Sequence, residues 1–248
     1  MPDMAIERVS EEPQNGGAAS AGGREPSGYA TITDRPFSDL GDAGWSYNES
    51  PHFSVVTDES TPGSCCSAAE ARFPRGWKGG KSPMVTWHDV PNTNEIYISF
   101  HIKLSENWQG HESGVNKLGF IWIHDDASVY FSAQGSGNGT LRPRIRLQAV
   151  PDGARNLEPN VSDASVNRGE WHRWEIQLIA NTPGTANGVA RIWLDGQLIS
   201  EHHDILYSGA SQDNVWQQVY WYPVWGGMQD AVRDDMTLRI SDYYASGR

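Results

Sequence analysis

The decapeptide EIYISFHIKL, residues 95–104, restricts the fold of this chain more than any other stretch. Ile96, Ile98, Phe100, Ile102 and Leu104 alternate without a break with Tyr97, Ser99, His101 and Lys103. Successive side chains of a strand project to opposite faces, so an extended segment buries the first set and leaves the second on the far side. Wound as a helix, the same apolar residues would scatter around the circumference and bury no common face. The run therefore predicts a β-strand with one face in a core.

The texture recurs along the chain. KLGFIWIH (117–124) is apolar on both faces, as a central strand of a sandwich is. SVYFSAQ (128–134), WHRWEIQLIA (171–180), GVARIWLDG (188–196), NVWQQVYWYPVW (214–225) and DMTLRISDYYAS (235–246) are further strands. Between them lie GSGNG, NTPGTANG and the Asp195-Gly196 pair, all turn chemistry, and Asp-Gly between two alternating runs predicts a tight hairpin. No long amphipathic helix interrupts the series. With 26 Gly, 14 Pro and 11 Trp in 248 residues, the chain reads as one all-β antiparallel sandwich over residues 29–248. Residues 1–28 are rich in Gly, Ser, Ala, Pro and Glu. They hold too little apolar surface to offset chain entropy, so a flexible amino-terminal arm is expected there.

The formal charge of −12 argues against nucleic acid or an anionic membrane as the main partner. No segment reaches the roughly 18 apolar residues of a membrane span. The amino terminus lacks a basic leader followed by an apolar core, so no signal peptide is visible. The two cysteines, Cys65 and Cys66, are neighbours and build no disulfide framework; free thiols are expected.

Against this acidic background LRPRIRLQAV (141–150) stands out. As a strand it sets Arg142, Arg144, Arg146 and Gln148 on one face, with Leu141, Ile145 and Leu147 behind them. Arginines in a row suit the recognition of something negative or sugar-like, and are otherwise an ordinary solvated strand face. Tyr97, Tyr130, Tyr220, Tyr222 and Trp225 offer flat surfaces for sugar rings. Trp171 and Trp174, three apart on a strand, face opposite ways, so at most one is core. Trp122 and Trp193 are expected in the core. WQGHESGVNK (108–117) reads as a loop anchored by Trp108 or carrying Gln109 and His111 to a binding surface. His111-Glu112 lacks the second histidine of a zinc helix, His202-His203 point to opposite faces, and Asp125-Asp126 and Asp234-Asp235 lack calcium-loop spacing. GWKGGKS (76–82) has Arg75 where a phosphate loop needs its first glycine, and is read as a turn. Glu175 stands alone on its strand, without the second carboxylate of a glycosidase.

GEWHRWEIQLIANTPGTANGVARIWLDGQLI resembles the closing hairpins of concanavalin A-like lectin/glucanase jelly rolls, in their polysaccharide-lyase-like and laminin-G-like forms. IYISFHIKLSENWQGHESGVNKLGFIWI resembles the central strands of the lyase-like group, and DYYASGR its last strand. The resemblance implies a jelly roll with a glycan-binding sheet. It allows a structural calcium, for which no ligands stand out, and otherwise implies no cofactor. In the alginate- and glucuronan-lyase branches it further implies three catalytic strands, carrying an arginine, a Gln-x-His and a Tyr-x-Lys-x-Gly-x-Tyr. This chain offers Arg144 and Arg146, then Gln148-Ala149-Val150, then Tyr220-Trp221-Tyr222-Pro223. The histidine is replaced by Val150 and the lysine by Tyr222.

Those departures favour binding of a polysaccharide, acidic by the arginine strand, without cleavage. The binding set is then Tyr97, His101, Lys103, Arg144, Arg146, Gln148, Tyr220, Tyr222 and Trp225. One alternative is a lyase acting by β-elimination, with His101, Arg146, Gln148 and Tyr220 as its catalytic groups. Another is a structural module of a capsid or tail, the arm docking to a neighbouring protein. The expected location is extracellular or on a virion surface.

Overall fold

In the computed structural model the described residues are 23–63, 66–91, 93–123, 127–209, 215–228 and 230–248. Among them the chain forms strands β1 (Ala30–Arg35), β2 (Ser46–Asn48), β3 (Phe53–Thr57), β4 (Ser67–Phe73) and β5 (Val85–Asp89). The series continues through β6 (Glu95–Leu104), β7 (Asn116–Ile123), β8 (Ser128–Gln134), β9 (Arg142–Gln148) and β10 (Arg155–Leu157). It ends with β11 (Trp171–Ile179), β12 (Gly188–Leu194), β13 (Gln197–Ile205), β14 (Trp216–Trp225) and β15 (Met236–Gly247). The helical content of the described residues is one short 3-10 turn, Asp42–Gly44.

All strand pairs are antiparallel, and they make two sheets. One runs β13-β12-β11-β6-β15-β4-β3, with β1 also paired to β15; the other runs β10-β9-β8-β7-β14-β5-β2. Strand β15 serves two partners on one edge, β4 along Met236–Ile240 and β1 along Tyr243–Gly247, with a bulge between Ser241 and Tyr244. The sheets face each other through aromatic side chains that bridge them. Phe100 of β6 lies edge-on to Trp221 of β14 at 4.7 Å and tilts against Phe131 of β8 at 5.5 Å. Trp174 of β11 stacks on Phe100 at 6.0 Å. Each such ring, removed from water, contributes about 1.5–3 kcal/mol before packing is counted.

The EIYISFHIKL strand is β6, central in its sheet, with Ile96, Ile98, Phe100, Ile102 and Leu104 inside. Trp174 is core while Trp171 turns outward, its indole N–H reaching Ser60 Oγ. Trp108 is buried and edge-on to Phe73, so the anchored reading of its loop holds. Trp122 and Trp193 differ from expectation: both lie partly exposed on outer faces, because the alternation of β7 and β12 gives the inner positions to Ile121, Ile123, Ile192 and Leu194. Cys66 is a free, exposed thiol, and Cys65 lies outside the described residues, as do residues 1–22 of the arm. The arm's last residues are held by this chain itself. Arg24 N–H donates to Glu175 Oε1 at 2.8 Å, and Tyr244 Oη donates to Glu25 Oε1 at 2.8 Å.

Candidate active site

Strand β9 fixes the site's floor. Ile145 and Leu147 are buried and Leu141 just before the strand is buried with them, so Arg142, Arg144, Arg146 and Gln148 face outward from the second sheet. Pro143 is tolerated because its partner β10 pairs only with Ile145–Leu147, leaving the proline's missing N–H off the ladder on that side. Direct cross-strand partners then extend the face. Arg146 sits opposite Tyr130 of β8, Tyr130 opposite Phe120 of β7, Phe120 opposite Tyr220 of β14, and Tyr220 opposite Trp87 of β5. On the other side Arg146 faces Asn156 of β10, whose Oδ1 accepts from the guanidinium at 2.7 Å. One row of side chains thus crosses six strands.

Lys117, the second residue of β7, stands at a bulge between Lys117 and Gly119. Its Nζ lies 4.8 Å from the centre of the Tyr130 ring and 5.3 Å from that of Phe120. Burial, and then the charge of Arg146, pull its pKa below the ordinary lysine value. Among the described residues no carboxylate pairs with it. Tyr130 is only 3 % exposed; burial raises its phenol pKa, and Arg146 and Arg144 oppose that rise. Arg144 pairs with Glu158 Oε1 at 3.2 Å, whereas Arg142 is tied to the backbone carbonyls of Val161 and Ser162. Tyr222 packs beside Phe120 at 5.8 Å, next to the β14 bulge opposite Lys117. Tyr220 leans the other way, stacked on Trp87 at 5.5 Å and edge-on to Trp122 at 6.2 Å.

The expected binding set therefore splits three ways. Arg144, Arg146, Gln148, Tyr220 and Tyr222 share this face. Tyr97, His101 and Lys103 do share a face with one another, as β6 alternation requires, but β6 belongs to the other sheet. There Tyr97 Oη donates to the buried Glu175 at 2.6 Å, His101 Nδ1 lies 3.6 Å from Asp242 Oδ2, and Lys103 pairs with Asp58 at 3.3 Å. His101 cannot act together with Arg146 and Tyr220 across the thickness of the sandwich. Trp225 is fully buried, its indole N–H donating to Gln109 O at 2.6 Å; the β14 bulge turns it inward, where it packs edge-on to the buried His111. Lys117 was not among the expected residues. Its signal was a single lysine opening an otherwise apolar run, and the bulge that turns it toward the arginines leaves no mark on the alternation.

Among the described residues no three His, Cys, Asp or Glu side chains gather in a way that could hold a metal ion. No described helix is long and apolar enough to cross a membrane.

The two sheets, their order and the outward charged face define a concanavalin A-like jelly roll. The polysaccharide lyase family model matches residues 37–229, most of the chain, and the protein belongs to that family. Solved structures share the fold. An alginate lyase variant in complex with an alginate trisaccharide superposes with a TM-score of 0.68 at 10% identity, covering 89% of this chain and 98% of its own. The endo-β-1,4-glucuronan lyase of the fungus Trichoderma reesei gives 0.61 at 16% identity, over 88% and 96% of the two chains. The alginate lyase of a Chlorella virus gives 0.61 at 13% identity, over 88% and 100%. No curated protein matches. Membership of a lyase family overturns the expectation of binding without cleavage. That expectation leaned on the absence of His at position 150 and Lys at position 222; Lys117, distant from both in sequence, lies against Tyr130 on the same face.

Proposed function

We propose that the protein is a polysaccharide lyase that cleaves uronate-containing chains by β-elimination on the outer face of the β10–β2 sheet. The observation that carries this reading is Lys117, an amine with a depressed pKa and no acidic partner among the described residues, set against Tyr130 beside Arg144 and Arg146. The solved structures sharing the fold include lyases of alginate and of glucuronan, both uronate polymers, which supports the substrate class.

The chemistry follows from the groups present. The proton on C5 of a uronate is acidic only if the neighbouring carboxylate is neutralised, because its removal adds negative charge to that carboxylate. Arg146, held by the neutral Asn156, is the cation free to do this, with Arg144 behind it. Neutral Lys117 takes the C5 proton. The C–H electron pair becomes the C4–C5 double bond as the C4–O bond breaks, and the departing oxygen takes a proton from Tyr222. One product carries an unsaturated uronate and the other a new hydroxyl, so the step needs no water and no oxidant.

Incubation with alginate, glucuronan and glucuronate-containing heteropolymers should give the ultraviolet absorbance of the unsaturated product, and Lys117→Ala should remove it. If no uronate polymer yields that absorbance, the lyase assignment fails.

A further inference from the structure

The row of side chains across this sheet is chemically asymmetric. Its β7–β9 end carries Lys117, Arg144 and Arg146. Its other end, on β14, β5 and β2, holds neither lysine nor arginine along WQQVYWYPVW, VTWHD and SYN. There Trp87 and Tyr220 lie parallel, 5.5 Å apart with 9° between their planes, and Trp122 closes on Tyr220 edge-on. Beside them Asp89 is exposed. Its Oδ1 accepts from Gln218 Nε2 at 2.7 Å, and Gln218 Oε1 accepts from Tyr220 Oη at 3.2 Å. Asp89 also helps to raise the Tyr220 pKa, after burial, so its charge is felt at the platform.

We infer that the polymer cut here is a mixed chain, in which a uronate occupying the Lys117–Arg146 end is followed by a neutral sugar on the Trp87–Tyr220 platform. The inference rests on the lyase reading above and narrows its substrate. Strands are spaced about 4.8 Å apart, so β9 to β5 spans about 19 Å, the length of several sugar rings. A pure polyuronate lying along the row would bring a second and third carboxylate over bare aromatic rings and next to Asp89. Aromatic rings with no lysine or arginine on their strands instead suit the C–H groups of a neutral pyranose, and the Asp89–Gln218–Tyr220 chain of hydrogen bonds suits its hydroxyls.

The test compares kcat/KM on polymannuronate and polyglucuronate with kcat/KM on chains that alternate a uronate with a neutral sugar, represented by hyaluronan and the rhamnogalacturonan backbone. At least one alternating chain should be cleaved tenfold or more faster than either homopolymer. Trp87→Ala should raise KM on that chain by about tenfold with little change in kcat, and Asp89→Lys should move the preference toward the homopolymers. Homopolymers cleaved as fast as both alternating chains, or faster, overturn the inference and leave the lyase reading standing. If no polymer yields unsaturated product, the lyase reading fails, and affinity electrophoresis on the same polymers decides the narrower point. Homopolymers retarding the protein as strongly as the alternating chains would then overturn it.

Discussion

At the scale of single residues, the arginine face was legible because strand alternation is a local property: Arg142, Arg144, Arg146 and Gln148 are where a period of two puts them. Lys117 was not, because its direction depends on a bulge and its chemistry on neighbours from β8 and β9. Its environment has a kinetic consequence. Burial and Arg146 destabilise the ammonium, so the neutral, proton-accepting amine gains population as pH rises, from lower pH than an exposed lysine allows. The rate should therefore climb with pH and level off once Lys117 is neutral. Lys117→Ala should lower kcat by about 10²–10⁴-fold, the usual weight of a general base, and flatten that limb of the pH profile. Lys117→Arg, which keeps a cation over Tyr130 but cannot give it up, should be equally inactive. A Lys117→Arg protein that turns over normally would remove the assignment.

Among elements, the hairpin between β12 and β13 shows what a sequence can settle. Asp195 and Gly196 both have left-handed φ, 50° and 81°, as a two-residue turn of this hand requires. Asp195 also binds the neighbouring strand. Its Oδ1 accepts from Arg173 N–H at 2.8 Å, and its Oδ2 accepts from His172 Nδ1 at 2.7 Å. His172 Nε2 accepts from Asn167 N–H, so Nδ1 carries the ring's proton. Asp195→Ala loses both bonds and puts an alanine where Asp tolerates the left-handed region better. It should cost about 2 kcal/mol in a denaturant titration while leaving kcat unchanged, since the hairpin lies in the sheet opposite the proposed site. What the alternation could not say is which sheet a strand joins. Alternation puts Tyr97, His101 and Lys103 on one face but does not say that this face lies in the sheet opposite Arg144 and Arg146, because the pairing of β6 with β11 and β15 is set by contacts far apart in sequence.

The whole molecule combines a net charge of −12 with a basic strip on β7 and β9, which is how an acidic protein can present a face to polyanions. Its interior contains a second electrostatic feature with a global readout. His88 of β5 points into the space between the sheets, where Nε2 is 2.9 Å from Tyr243 Oη and Nδ1 is 2.9 Å from Asp89 O. Trp45 packs against its ring at 4.5 Å. Burial, the largest influence, pushes its pKa down from 6.5 to about 4. The unfolded chain therefore binds a proton at this residue below pH 6.5 that the folded protein refuses until about pH 4. Its contribution is fully present above pH 6.5, falls by about 1.4 kcal/mol per pH unit through that window, and reaches about 3 kcal/mol in all. Asp58 acts in the same direction at lower pH. Although burial pushes its pKa up, hydrogen bonds from Ser60, Arg239 and Lys103 bring it below the usual carboxylate range, so its contribution disappears only in stronger acid. Urea titrations should thus show the protein losing about 2 kcal/mol from His88 between pH 7 and pH 5. His88→Gln should be less stable at pH 7, because Trp45 and Tyr243 are repacked, yet should lose less than half as much on going to pH 5. A variant whose stability falls as steeply as that of the unmodified chain would place the acid sensitivity elsewhere.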